Sequence, residues 1–167
     1  MMKVSVLRDY IINDKRWEWD VVEPGTRGDD LTLDITSETV ATYASDTRNF
    51  NPRYLNASEG EFAMPTTIFR EGPLRRQSVA QSAGYTALEQ VEENSRQTPF
   101  AKCTARWFKP IKVGDTITSC AHVLEKYEKR GSKFVTFRVE LTNQDQDKVA
   151  EYDYTCIFEY AKGQNLS

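Results

Sequence analysis

From residue 100 to residue 160 the chain keeps a period of two, and this constrains its fold more than any other feature. Apolar and polar residues alternate through 101–108, 115–126, 133–141 and 149–160, as strands with one buried face require. Between them stand residues suited to turns: Lys109-Pro110, Val113-Gly114-Asp115, Lys129-Arg130-Gly131-Ser132 and the polar run 143–148. Short turns join antiparallel neighbours, so the sequence predicts a four-stranded meander. One earlier strand is expected at Leu31-Thr32-Leu33-Asp34-Ile35, after a turn at Pro24-Gly25.

The helices fall between that first strand and the meander. Thr36 or Ser37 caps a helix in which Val40, Tyr43 and Ala44 share a face and Glu38 complements the dipole, with an end near Asp46. Residues 47–65 are rich in Asn, Pro, Ser and Gly, a long irregular segment of the kind kept for binding. Pro65 suits the first position of a second helix, which would run toward Ala83 and stop at Gly84. Gly72-Pro73 either kinks that helix or starts another at Pro73, and both arrangements fit the sequence. Residues 86–97 are polar and favour helix, and a surface connection is expected there. A strand, then helices, then antiparallel strands is an α+β order.

With 167 residues the chain suits one domain spanning 1–167, and its 39% hydrophobic and 28% charged content is that of a globular protein. A net charge of -3 without a basic face argues against nucleic-acid binding. No long apolar run is present and the start at Met1-Met2-Lys3 is polar, so neither a membrane span nor a signal peptide is expected, and the location expected is cytoplasmic. Cys103, Cys120 and Cys156 are odd in number and widely spaced, which reads as reduced, buried thiols. His122 is the only histidine and sits mid-strand, so multi-histidine metal centres are excluded and a structural or surface role is expected. Trp17 and Trp19, two apart, read as bulky packing.

The segment Thr47-Arg48-Asn49-Phe50-Asn51-Pro52-Arg53-Tyr54 resembles the S-G-D-x-N-P-x-H loop of MaoC-like hydratases and dehydratases. Asn51 and Pro52 match that loop, while Asn49 stands at its catalytic Asp and Tyr54 at its catalytic His. The resemblance extends to Tyr43-Ala44, to Ala63-Met64-Pro65-Thr66-Thr67, and to 107–115, similar to the family's F-x-x-P-V-x-x-G-D turn. The Asn-Pro-x-Tyr and Ala-Met-Pro forms look most like the N-terminal-type MaoC domains of two-hot-dog dehydratases. It implies a hot-dog fold, a curved antiparallel sheet wrapped around a central helix. It also implies a hydro-lyase reaction on an acyl thioester carried by coenzyme A or an acyl carrier protein, with no further cofactor. Pairing as a homodimer, or as a heterodimer with another hot-dog subunit, would cover the open sheet edge and complete a pocket.

Removing water from a 3-hydroxyacyl thioester needs a base for the α-proton, a proton for the departing hydroxide, and donors for the thioester oxygen. The carboxamide of Asn49 is not a base, and a tyrosine such as Tyr54, with a solution pKa of about 10, is a proton donor and a poor base. Asp46, one helical turn before Asn49, is either a displaced base or a solvated helix end. Asn51, Met64, Thr66 and Thr67 are the expected substrate-binding positions, with free N–H groups of Thr66 and Thr67 facing the thioester oxygen. Arg75-Arg76 either meets a coenzyme A phosphate or faces solvent. Glu71 is either a thioesterase carboxylate or an ion-pair partner of Arg70 and Arg75. Three functions follow: a hydratase or dehydratase with a departed catalytic loop, a silent subunit that binds acyl thioester beside an active hot-dog chain, and a thioesterase using Glu71.

Overall fold

The computed structural model describes residues 15–70 and 72–163, with backbone alone at 72–74. Its elements are β1 (Leu31–Asp34), α1 (Ser37–Asp46), α2 (Pro52–Leu55), a 3-10 turn (Pro65–Phe69), α3 (Gly72–Ser82), β2 (Phe100–Trp107), β3 (Thr116–Lys129), β4 (Ser132–Thr142) and β5 (Lys148–Glu159). A further 3-10 turn, Trp19–Val21, precedes β1. The strands form one antiparallel sheet in the order β1-β3-β4-β5-β2. Register shifts between Val123 and Glu125 and between Lys133 and Phe134 bend it.

The meander holds for β3, β4 and β5 and fails for β2. The amides of Phe108 and Lys109 donate to Val149 O, keeping the end of β2 beside β5. The next residues pair with the irregular segment instead: Ala63 N–H donates to Ile111 O at 2.9 Å and Val113 N–H to Glu61 O at 2.9 Å. The chain thus crosses to the opposite side of the sheet before starting β3. The expected meander places this strand beside the next one, and it fails because the residues that satisfy the crossing lie some fifty positions earlier.

The β3–β4 hairpin turns at Arg130 and Gly131, with φ of 53° and 79°, the left-handed pair that matches strand twist. The β4–β5 turn is held by Asn143, whose side-chain oxygen accepts the N–H groups of Asp145 and Asp147 at 3.0 Å each.

Helix α3 packs on β3 and β4 and buries Val79 and Ala80 completely, so the hot-dog arrangement is met. A separate helix, not a kink, follows the Pro65 turn, and Pro73 falls within its first turn. Gly28 lets the chain before β1 lie against α3, since a Cβ there would stand 2.8 Å from Ser78 Oγ and 2.9 Å from Val79 N. Phe137 is fully buried and meets Trp17 at 5.8 Å and Tyr154 at 5.1 Å. Trp19, half-buried, donates through Nε1 to Phe134 O and lies under the ammonium groups of Lys126 and Lys133.

Residues 86–97 form an irregular, partly buried segment and not a surface helix. Ala87 and Leu88 are buried, and Thr86 exchanges backbone hydrogen bonds with Lys15 and Trp17. Burial against the N-terminal segment overrides the helical propensity there. Cys156 is buried and Cys120 half-buried, but Cys103 lies exposed on β2. His122 is half-buried on β3 in register with Arg138, consistent with a structural role. No helix among the described residues is long and apolar enough to cross a membrane.

Candidate functional site

The site is built at the end of α1. Thr36 caps that helix reciprocally: its Oγ1 accepts Thr39 N–H at 3.1 Å, and Thr39 Oγ1 accepts Thr36 N–H at 2.8 Å. Thr47 closes the other end, with Oγ1 donating to Tyr43 O at 2.8 Å, and Arg48 then turns the chain through a left-handed φ of 57°.

Asn49 and Asn51 shape the loop that follows. Asn49 Oδ1 accepts Asn51 N–H at 3.2 Å, and Asn51 Oδ1 accepts Arg53 N–H at 3.0 Å, capping α2 with Pro52 at its first position. Tyr54 is thereby carried inward, half-buried against the core, with the Arg53 guanidinium 5.8 Å from its ring centroid. Asn49 Nδ2 lies 3.7 Å from Met64 Sδ, and Thr47 Oγ1 lies 3.9 Å from the same sulfur.

Met64 opens the 3-10 turn Pro65–Phe69, which neighbours tie down through its carbonyls. Tyr43 OH donates to Thr66 O and Trp107 Nε1 to Pro65 O, each at 2.9 Å. Thr67 N–H donates to Met64 O at 3.0 Å, so of the two amides expected to be free only that of Thr66 is without an acceptor among the described residues, and Thr66 does not line the cavity described next.

Between the loop, this turn and the end of β2 lies an open cavity of about 570 Å³. Tyr54, Phe62, Met64 and Pro65 line one side, Trp107 and Phe108 the other, and Arg53 and Lys109 add positive charge. Asn49 stands beside Met64, half-buried, and does not line the cavity. Asp46 is exposed at the end of α1, also outside the lining. Among the described residues, neither a carboxylate nor the single histidine lines the cavity. Among the described residues no three His, Cys, Asp or Glu side chains gather as metal ligands would.

Both arginines of the Arg75-Arg76 pair have partners within the protein. Arg75 is buried and donates to Ser119 O, while Arg76 pairs with Glu89 and reaches Cys156 Sγ at 3.1 Å. Their spacing on α3 points them at the sheet, where strand carbonyls and a distant acid satisfy them. Glu71 lies outside the described residues. The reading of residues overlooked Arg53, Phe62, Trp107, Phe108 and Lys109 as cavity walls; the 107–115 motif contained three of these but served only as a turn.

No sequence match was found among curated proteins. In structure the chain is similar to the monoamine oxidase regulatory protein from Archaeoglobus fulgius, at 19% identity and a TM-score of 0.67 over 90% of this chain and 99% of that one. It is also similar to the HadBC (3R-hydroxyacyl-ACP dehydratase) complex from Mycobacterium tuberculosis, at 15% identity and a TM-score of 0.60 over 81% and 99% of the two chains. The R-hydratase PhaJ1 from Pseudomonas aeruginosa, at 19% identity and a TM-score of 0.58, aligns over 90% of this chain and 95% of its own. Likeness at these identities is one of fold, and it is the hot-dog fold. Residues 23–152 match the family described as the FAS1-like dehydratase domain region, and the chain belongs to that family.

Proposed function

We propose that the chain binds an acyl thioester in the cavity beside Tyr54 and Met64, as a subunit of a hydratase or dehydratase whose acid and base come from another hot-dog chain. The observation that carries this reading is the lining itself, which among the described residues contains no carboxylate and no histidine. Water addition or removal requires a group that takes and returns a proton near neutral pH. Asn49 offers an amide already engaged with Asn51 and Met64, and Lys109 is held 2.6 Å from Asp147.

What remains suits binding. Phe62, Met64, Trp107 and Phe108 give apolar walls for an acyl segment, and Arg53 and Lys109 suit an anionic carrier such as coenzyme A. The partner would join at β2. Among the described residues this strand pairs only with β5, and all its residues except Ala105 are exposed. Phe100 and Trp107 on it, and Phe108 just beyond, are large, apolar and exposed, an edge that proteins ordinarily cover. The structurally similar HadBC is, by its name, a 3R-hydroxyacyl-ACP dehydratase complex, which supports pairing with another chain.

The test is calorimetric titration of the purified chain with crotonyl-coenzyme A and 2-decenoyl-coenzyme A. Saturable binding that weakens in Trp107→Ala supports the reading, and absence of binding to either thioester refutes it.

A further inference from the structure

The cations around the thioester cavity are not equivalent. Lys109 is engaged by Asp147 at 2.6 Å. Arg53 and Lys112 are exposed and, among the described residues, make no ion pair. Each lies instead on an aromatic face: the Arg53 guanidinium is 5.8 Å from the Tyr54 ring centroid, and Lys112 Nζ is 5.9 Å from that of Phe62. An aromatic face attracts a cation without neutralising it, so both charges stay available to an anion.

Backbone pairing fixes where these groups stand. Phe62 and Lys112 are opposite residues of an antiparallel bridge, flanked by the hydrogen bonds from Ala63 N–H to Ile111 O and from Val113 N–H to Glu61 O. Opposite residues of such a bridge send their side chains to one face. Arg53 sits on α2, which Asn51 caps. A smaller cavity of about 260 Å³ opens here, lined by Arg53, Gly60, Glu61 and Phe62. Arg53 and Phe62 line the thioester cavity as well, so the two cavities adjoin at these side chains. At Gly60 nothing stands within 4 Å of where a Cβ would be, which leaves its backbone open to a ligand. The acid in this lining, Glu61, turns its Oε2 onto Ser58 N–H at 2.6 Å.

A phosphate suits this junction, because the planar fork of an arginine matches two phosphate oxygens at once. Gly60 precedes Met64 by four residues, at most about 14 Å of extended chain. A pantetheine arm covers that span without full extension. Resting on the thioester reading above, we propose that Arg53 receives the phosphate at the head of the carrier's pantetheine arm where the two cavities adjoin. Lys112, which lines neither cavity, adds positive charge beside it. The carrier then leaves past Phe62 and not past Lys109. That phosphate is common to coenzyme A and to an acyl carrier protein.

The test is calorimetric titration with crotonyl-pantetheine, crotonyl-phosphopantetheine and crotonyl-coenzyme A, on the native chain and on Arg53→Met, Lys112→Met and Lys109→Met. The phosphorylated arm is expected to bind about fivefold more tightly than crotonyl-pantetheine, as exposed charge contacts allow, and to lose that advantage in high salt. The advantage is expected to vanish in Arg53→Met, to shrink in Lys112→Met and to persist in Lys109→Met, with circular dichroism reading the fold of each. Tighter binding of crotonyl-coenzyme A than of crotonyl-phosphopantetheine supports the site with a nucleotide beyond it. Equality of those two, both above crotonyl-pantetheine, supports it as the anchor of a protein-borne arm. Equal binding of all three would overturn the phosphate site while leaving the thioester reading standing. An advantage that survives Arg53→Met, or that Lys109→Met removes, would overturn its placement at Arg53. Binding of none of the three would overturn the thioester reading itself, and this site with it.

Discussion

Asn49 Nδ2 lies 3.7 Å from Met64 Sδ, so the side chain at the position where related loops carry an acid instead fastens the loop to the turn that opens the cavity. Its other end accepts Asn51 N–H at 3.2 Å. A carboxylate at 49 would keep that acceptor and add a base, and a histidine at 54 would occupy a side chain already lining the cavity. The double variant Asn49→Asp with Tyr54→His is therefore expected to gain measurable hydration of crotonyl-coenzyme A, with each single variant well below it. The loss of enoyl-thioester absorbance reads the outcome.

Asn51 has a structural task separable from chemistry. Its Oδ1 caps α2 through Arg53 N–H at 3.0 Å. Asn51→Ala is expected to lower stability by about 1 kcal/mol, read by urea unfolding, while Asn51→Asp retains the cap and most of that stability.

The fold was largely readable because it rests on local rules. Thr36 as a cap, Gly131 in a left-handed turn and Gly84 after α3 each announce themselves by residue type, and each stands where expected. What could not be read depends on partners remote in sequence. The place of β2 beside β5 is set by Val149 O and by pairing of 111–113 with 61–63. Arg76 turns from solvent to core because Glu89 waits across the interior. The loop at 49–54 was legible by spacing, whereas the cavity facing it is made by Trp107 and Phe108 from half the chain away.

Stability should depend on pH through Glu151. Its hydrogen bond from Lys148 Nζ, at 2.5 Å, and then that from Arg106 Nη1, at 2.8 Å, hold the carboxyl below its ordinary value of 4.5 against burial, which pushes it up. A depressed folded-state pKa adds stability above the unfolded value, and that stability is lost as pH falls through the folded one. Thermal melts of the native chain and Glu151→Gln are expected to differ at pH 7 and to converge as pH falls through the depressed folded-state pKa, below the ordinary value of 4.5.

The exposed edge of β2 should govern association. Phe100→Glu with Phe108→Glu places charge on two residues that are 64% and 53% exposed, so the subunit fold should survive. Sedimentation velocity is expected to show the native chain as a dimer or larger and the double variant shifted to monomer, with unchanged circular dichroism.

The central claim is that this chain holds an acyl thioester without the groups to add or remove water. The most direct measurement is the hydration of crotonyl-coenzyme A by the purified native chain, with Tyr54→Phe, Asn49→Ala and Asp46→Asn beside it. The account predicts no turnover above background in any of the four, under conditions where the thioester is bound. Turnover by the native chain that collapses in Tyr54→Phe or Asp46→Asn would contradict it and make the chain a hydratase in its own right.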